Sequence, residues 1–169
     1  LALIDAEMIV RRGISRYAGE VEYAFRHALL RDAAYSMLTD NDRALGHRLA
    51  AAYLARLAER AINRNTLRDA KPDPLVIAEH FRSGGESEAA IPYVVQAAQD
   101  AFEAHDLPET QRLVDLGISL GAGGEPLGVL LSLQAWVAYW SGQSDRILEK
   151  GSDSIALLRR GSIWWCQTT

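Results

Sequence analysis

The spacing of apolar residues divides the chain into a short N-terminal β segment and a long helical remainder. Residues 21–25 alternate strictly, with Val21, Tyr23 and Phe25 on one side, as is typical of a short strand. Gly19 marks a turn before this strand, so the sequence predicts a β-hairpin over residues 10–25. From His27 onward the apolar residues recur at helical spacing. We therefore predict a mostly α protein with a β-hairpin near its N-terminus.

Capping and breaking residues mark the predicted helix boundaries. Thr39 with Asp42 three residues later forms a capping box, which opens a helix. Ser87 is expected to cap a longer helix, and Pro92 should bend that helix or delay its start. The same pattern predicts a loop over 63–74. It also predicts helices over 75–81, 87–104, 106–120, 127–140 and 145–158.

An internal repeat organises the C-terminal helices. Residues 102–114 and 139–151 each end a helix on an aromatic residue, turn through small or polar residues and begin another helix. Their offset of about 37 residues is close to the tetratricopeptide (TPR) period. Thr110 and Ile147 replace the small alanine usual in that repeat. The sequence thus predicts antiparallel helix pairs in a TPR-like right-handed array, with a plain helical bundle as the alternative.

The apolar C-terminal segment has a place in such an array. One helix pair cannot cover both of its apolar faces, so each pair needs a neighbour. Ile163, Trp164 and Trp165 would then begin a further repeat, and they would face water and promote self-association. Together with a first residue that is not Met, this leads us to expect a piece of a longer protein.

Composition excludes several classes of protein. The 169 residues fit one domain, or two small ones. The net charge of −4 disfavours phosphate-mediated binding of nucleic acid, and no apolar run approaches a membrane span of about 18 residues. The single cysteine, Cys166, excludes a disulfide framework and fits a reducing compartment. We expect a cytoplasmic segment with no membrane contact.

The residues that carry chemistry are few. His27, His47, His80 and His105 form no metal-binding spacing, and no phosphate-binding loop or nucleophile elbow occurs. We therefore expect no catalytic residue, no metal site and no cofactor in this chain. An aromatic stripe at helical spacing has two interpretations, packing between repeats or a peptide-binding groove. Its members, the candidate partner-binding residues, are Trp136, Tyr139 and Trp140.

The segment YAFRHALLRDAAY, residues 23–35, is the most distinctive stretch of the sequence. It resembles a motif of large bacterial signalling ATPases of the STAND class. The resemblance continues through DRALGHRLA (42–50), IAEHF (77–81) and EAAIPY (88–93), covers roughly residues 8–120 and then fades. In that class an AAA-type ATPase domain precedes a winged helix and TPR-like helices, often with a kinase, a cyclase or a LuxR-type regulator in the same chain.

The resemblance implies a domain organisation and one functional residue. Residues 1–38 would end a winged helix, with the hairpin as its wing, and 39–169 would be the helical array, truncated at its C-terminus. The upstream ATPase domain would bind ATP or ADP. Arg26, His27 and Ala28 are similar to the "MHD" stretch, whose histidine reaches the ADP phosphate, although Ala28 replaces the usual Asp. His27 is accordingly a candidate nucleotide-sensing residue; capping its own helix or packing beside Phe25 is the alternative.

Three functions follow from these observations. The first is a non-catalytic sensor and protein-interaction segment of a multidomain signalling ATPase or transcriptional regulator, which binds a protein partner or effector on its helices. The second is a freestanding TPR-type scaffold. The third is a winged-helix nucleic-acid binder, which the near balance of five arginines and four acidic residues over residues 1–31 disfavours.

Overall fold

The fold is mostly α, as the sequence predicts. The computed structural model describes residues 2–64 and 71–169. It is 70% helical, with a two-stranded antiparallel hairpin near the N-terminus. The described elements are α1 (Ala2–Asp5), β1 (Ile9–Arg11), β2 (Tyr23–Phe25), α2 (Ala28–Ser36), α3 (Asp40–Arg64), α4 (Pro74–Ser83), α5 (Ser87–Glu103), α6 (Leu107–Ser119), α7 (Gly124–Trp140), α8 (Ser144–Leu157) and α9 (Ile163–Thr168).

Contacts between these elements define two compact units. Unit 1 comprises Leu1–Pro72 with Ser83–Gly85, and unit 2 comprises Asp73–Arg82 with Glu86–Thr169. Unit 1 therefore contains the hairpin, α2 and α3, and unit 2 contains α5 to α9. Compactness does not identify a domain type, so the expected boundary between a winged helix at 1–38 and a repeat region at 39–169 stays a prediction.

The hairpin in unit 1 is shorter than the sequence pattern indicates. Ile9 lies opposite Phe25 and Arg11 opposite Tyr23, so pairing is confined to three residues on each strand. The long connection is held by Glu22. Its carboxylate accepts hydrogen bonds from the backbone N–H and the Nε of Arg16, both at 3.0 Å, and pairs with Arg12 at 3.3 Å. The Glu22 carboxylate thus holds the loop between the two strands, a contact that the spacing of apolar residues does not predict.

The structure has the predicted cap at Thr39 and a cap at Asp106, where a helix start is predicted, but not the predicted cap at Ser87. The Thr39 hydroxyl accepts from the Asp42 backbone N–H at 3.2 Å, and the Asp106 carboxylate accepts from Glu109 N–H at 3.1 Å. Ser87 is not the cap of α5, because Glu86 occupies that position and makes no side-chain cap bond. Pro92 does not delay this helix, which already begins at Ser87.

The predicted loop over 63–74 is only partly correct. Helix α3 extends to Arg64, and α4 already begins at Pro74. Residues 71–73 between them are non-helical. The rest of the predicted loop, 65–70, lies outside the described residues.

Unit 2 has its core around α7. This helix contacts α5, α6, α8 and α9, and most of its residues are buried. Two glycines let its neighbours approach closely. A Cβ added to Gly117 of α6 would lie 2.6 Å from Leu130 Cδ1, and one added to Gly128 of α7 would lie 3.1 Å from Leu157 Cβ. Glycine at both crossings therefore allows α6 and α8 to pack on α7 without displacing these leucine side chains.

The C-terminal segment packs differently from the sequence expectation. Trp164 and Trp165 are half-buried against the core of unit 2, and only Ile163 faces water, at 73% exposure. The hydroxyls of Thr168 and Ser132 lie 2.6 Å apart and fix α9 to α7. The expectation that all three apolar residues are exposed is wrong for Trp164 and Trp165, because both side chains pack against the core of unit 2.

Within residues 2–64 and 71–169, no helix combines the length and apolar character needed to cross a membrane.

The Glu22 site predicts a specific pH dependence. The backbone N–H of Arg16, with further help from the Arg16 and Arg12 guanidinium groups, holds the pKa of Glu22 below its ordinary value of 4.5, although desolvation opposes this. Since the folded-state pKa is lowered, the stabilisation is complete above the unfolded pKa and is lost as pH falls through the folded value. The amide NMR signal of Arg16 should titrate with a midpoint below 4.5, and Glu22→Gln should abolish that titration. A midpoint at or above 4.5 would contradict the described loop.

The Gly117 crossing predicts a large steric effect. Gly117→Val should destabilise unit 2 by about 2 kcal/mol, because the new side chain overlaps the fully buried Leu130. Gly151→Ala in α8 is the matched control: its Cβ meets only Thr168 at 3.9 Å, so it should gain about 0.5 kcal/mol from helix propensity. Urea unfolding followed by tryptophan fluorescence measures both, since all four tryptophans lie in unit 2. Equal stability of the two variants would refute the close crossing.

Candidate partner-binding site

The last turn of α7 carries aromatic side chains beyond the buried part of the helix. Residues 128–135 and Ala138 of α7 are buried. Trp136 is half-buried, whereas Tyr139 is 56% and Trp140 61% exposed. The sequence leaves core packing and a binding surface open for these three residues. In the structure Trp136 packs partly against its neighbours, whereas Tyr139 and Trp140 face solvent.

These aromatic rings contact one another and one further ring from α5. The ring centroids of Trp136 and Tyr139 are 5.8 Å apart, and those of Tyr139 and Trp140 are 5.4 Å apart, both edge to face. Phe102 of α5 lies 6.4 Å from Trp136. We call these four side chains the aromatic surface. Edge-to-face contacts are favourable and hold each ring in place, so the surface is prearranged.

A groove lies on either side of Trp136. The α5 groove, about 560 Å³, lies between the ends of α5 and α7 and the start of α6; it is lined by Phe102, Glu103, His105, Leu107, Trp136, Trp140 and Gln167. The α8 groove, about 600 Å³, lies between α7 and α8 and reaches the end of α9. Both volumes are in the range of sites that accept side chains or small ligands.

Charged side chains are few in the lining of the two grooves. Glu103, beside His105, is the acidic residue that lines the α5 groove. Two ion pairs lie elsewhere on unit 2. On α8 the hydrogen bond from Lys150 Nζ, 2.9 Å long, lowers the pKa of Glu149. On α6 the Arg112 guanidinium lowers the pKa of Glu109 in the same way.

His27 lies in unit 1, at the junction of the hairpin and α2. It occupies the N-cap position of α2 with extended backbone angles, and its side chain is exposed. His27 therefore is the N-cap residue of α2 by position and backbone, although its imidazole makes no cap hydrogen bond. The flanking Arg26 is paired with Glu7 at 2.6 Å.

Two contacts are not predicted from the sequence. In unit 2, Phe102 joins the aromatic surface, and its 37-residue offset from Tyr139 is the signal that could indicate this. In unit 1, the Tyr35 hydroxyl and His47 Nε2 lie 2.8 Å apart, and the Arg43 guanidinium lies 4.9 Å from the centre of the Tyr35 ring. Nothing in the apolar spacing indicates that contact.

The described residues hold no group of three or more His, Cys, Asp or Glu side chains placed to bind a metal ion. The aromatic surface and its two grooves present mostly apolar contact area, with few polar side chains. That arrangement suits the binding of another polypeptide.

No protein-family model, curated protein or solved structure matches this chain. The resemblance to STAND-class ATPases therefore stays a prediction that rests on the quoted residues.

Proposed function

We propose that this chain is a non-catalytic sensor and protein-interaction segment of a larger multidomain signalling ATPase or transcriptional regulator of the cytoplasm. In this proposal a protein effector binds the helices of unit 2. An ATPase domain earlier in the same chain holds ATP or ADP, and unit 1 contacts it. The exposed aromatic surface at the end of α7 is the observation that carries the proposal.

The aromatic surface has the properties of an interface centre. Tyr139 and Trp140 expose more than half of their surface, and Tyr and Trp dominate the binding energy of many interfaces. Their mutual ring contacts hold them in position, so a partner does not have to order them. The acidic net charge and the mostly apolar lining of the grooves favour a protein partner over a polyanion.

Unit 1 supports a second protein contact. Helix α2 has no buried residue, and Leu30 within it and Met37 and Leu38 directly after it are exposed. On the hairpin, Tyr23 and Phe25 are each 43% exposed. Soluble monomers rarely leave large apolar surfaces uncovered, so we assign these side chains to the contact with the nucleotide-binding domain.

The placement of His27 is compatible with nucleotide sensing. An exposed imidazole at a helix start can donate to a phosphate beside the helix N-terminus. Effector binding to unit 2 would then act by shifting the population of a state in which unit 1 and His27 engage the bound ADP.

The charges of unit 1 disfavour the nucleic-acid alternative. Arg12 and Arg16 pair with Glu22. Arg26 and Arg31 pair with Glu7 and Asp32. Paired arginines release few counterions on meeting phosphates, so strong salt-dependent DNA binding is not expected.

The ATPase part of the proposal is tested by the reading frame upstream of Leu1. We expect a GxxxxGK loop followed by Ser or Thr within about 300 residues, the span of a nucleotide-binding domain and its connection. In that longer protein His27→Ala should speed ADP release about tenfold, the loss of one charge-assisted hydrogen bond. His27→Gln, which keeps a donor, should be intermediate. A start codon at or near Leu1 without the loop would refute the ATPase context and favour the freestanding scaffold.

The interaction part is tested by site-specific photo-cross-linking in cells. A photoreactive amino acid at Glu103 or Trp140 should give the same discrete protein adduct, because both positions border the α5 groove. The matched controls are Ile118 and Ile163, exposed apolar residues of unit 2 outside the aromatic surface, which should give no such adduct. Equal adducts at all four positions, or none at Glu103 and Trp140, would contradict a partner site at this surface.

A further inference from the structure

The α5 groove lies where two helices end. Glu103 is the last residue of α5 and Trp140 is the last residue of α7, and both line the groove. A helix C-terminus carries a partial negative charge, which a basic residue in the last turn can offset. As the structure describes them, neither α5 nor α7 has a basic residue there. The electrostatic potential of two helix ends at this groove is therefore negative.

The start of α6, the third helix at the groove, does not reverse this potential. Its N-terminus carries a partial positive charge. That charge is already balanced by the Asp106 carboxylate, which accepts a hydrogen bond from the Glu109 backbone N–H at 3.1 Å.

Glu103 adds a full negative charge to the same place. Its side chain is exposed, and in the part of the chain that the structure describes its carboxylate has no hydrogen-bond or ion-pair partner. An acidic side chain at a helix C-terminus also opposes the helix dipole, so Glu103 does not stabilise α5 by its charge. The carboxylate is thus available to a cation from outside the chain.

Three aromatic rings line the α5 groove beside this carboxylate. The ring centroids of Phe102 and Trp136 are 6.4 Å apart, and Trp140 follows Trp136 by one helical turn on the same side of α7. The face of an aromatic ring attracts a cation that lies within about 6 Å of its centroid. Among the described residues that line the groove there is no Lys or Arg. Rings and carboxylate together therefore favour a cation of another molecule.

We propose that the α5 groove receives an arginine side chain of the protein partner, which places its guanidinium against the aromatic rings and pairs it with the Glu103 carboxylate. A guanidinium is planar and weakly hydrated, stacks on aromatic rings and can donate two parallel hydrogen bonds to one carboxylate. This inference rests on the proposed function, because it names the chemistry by which the aromatic surface would recognise its partner.

Other occupants fit the groove less well. A purely apolar side chain would cover the Glu103 carboxylate without giving it a hydrogen-bond partner, which costs free energy. An anionic group would be repelled by Glu103 and by the two helix ends. The charge of unit 2 points the same way, since its thirteen Asp and Glu residues against six Lys and Arg give a net charge of −7. Such a field attracts a basic segment of a partner.

The remaining polar side chains of the groove can accept hydrogen bonds from a guanidinium. His105 Nδ1 donates to the backbone carbonyl oxygen of Glu103, 3.1 Å away, so the neutral imidazole keeps Nε2 as an acceptor. The side-chain amide of Gln167 contributes an acceptor oxygen as well.

The test titrates the full chain with three peptides of the form acetyl-Gly-Leu-X-Leu-Gly-amide, in which X is arginine, lysine or citrulline. Citrulline has the shape of arginine without its charge, so the ratio of the two dissociation constants isolates the effect of the cation. NMR follows the indole N–H signals of Trp136 and Trp140, which single Trp→Phe variants assign. Histidine side chains are generally neutral at pH 8, the pH of the titration.

Two variants remove the groups that would bind the guanidinium. Glu103→Gln removes the carboxylate, and Trp140→Leu removes the exposed ring while keeping an apolar side chain. The matched control is Glu88→Gln, which makes the same change of charge near the other end of α5, about 22 Å away along the helix.

We expect the arginine peptide to bind about tenfold more tightly than the citrulline peptide, the combined size of a cation–π contact and an exposed ion pair. The lysine peptide should lie between them. Glu103→Gln and Trp140→Leu should each lower the tenfold ratio to about threefold, whereas Glu88→Gln should leave it unchanged.

Four results would overturn the proposal. They are equal binding of the arginine and citrulline peptides, a ratio that Glu103→Gln does not change, a lysine peptide that binds as tightly as the arginine peptide, and no shift of the Trp140 indole signal with any peptide.

The failure of this proposal can be told apart from the failure of the proposed function. A discrete protein adduct at Glu103 and Trp140 in cells, together with equal binding of the arginine and citrulline peptides, would overturn the arginine site and leave the interaction function standing. The absence of that adduct would overturn the interaction function, and this inference with it, even if the arginine peptide binds.

Discussion

The packing of unit 2 depends on the close approach of α6 and α8 to α7. Gly117 and Gly128 allow this approach, because any side chain at either position would meet Leu130 or Leu157. At the second crossing the buried Ser154 hydroxyl donates to the Gly128 carbonyl at 2.8 Å. The crossing thus combines van der Waals contact with a satisfied hydrogen bond, and together they hold α8 against α7.

The same helix provides both the core and the candidate site. Along α7 the buried part is apolar on nearly every side, so its spacing alone gives no preferred face. The last turn differs, because Tyr139 and Trp140 there are more than half exposed. Trp136 joins the two regions, since it packs on Phe102 and also separates the two grooves. Core packing therefore determines where the aromatic surface lies.

The features that the sequence predicted correctly are local ones. The Thr39 cap and the helix start near Asp106 depend on residues within one turn. Contacts between distant residues were not predictable in this way. The partial burial of Trp164 depends on its packing against the core of unit 2, which residues distant in sequence form. The role of Gly117 likewise depends on Leu130 in the next helix. The aromatic residues were found by their spacing, but their contact with Phe102 required the fold.

The two units differ in the way in which they could bind protein partners. In unit 2 the exposed rings are held by one another above a well-packed core, so binding requires little ordering. In unit 1 the described buried apolar side chains are few, the strands have three residues each and α2 is exposed along its length. Segments with few buried contacts open at low free energy, and switching elements come from such segments. A partner that covers unit 1 would therefore also order it, which couples its binding to a change of state. In the proposed sensor, the aromatic surface of unit 2 would supply recognition and unit 1 would supply the segment that changes state.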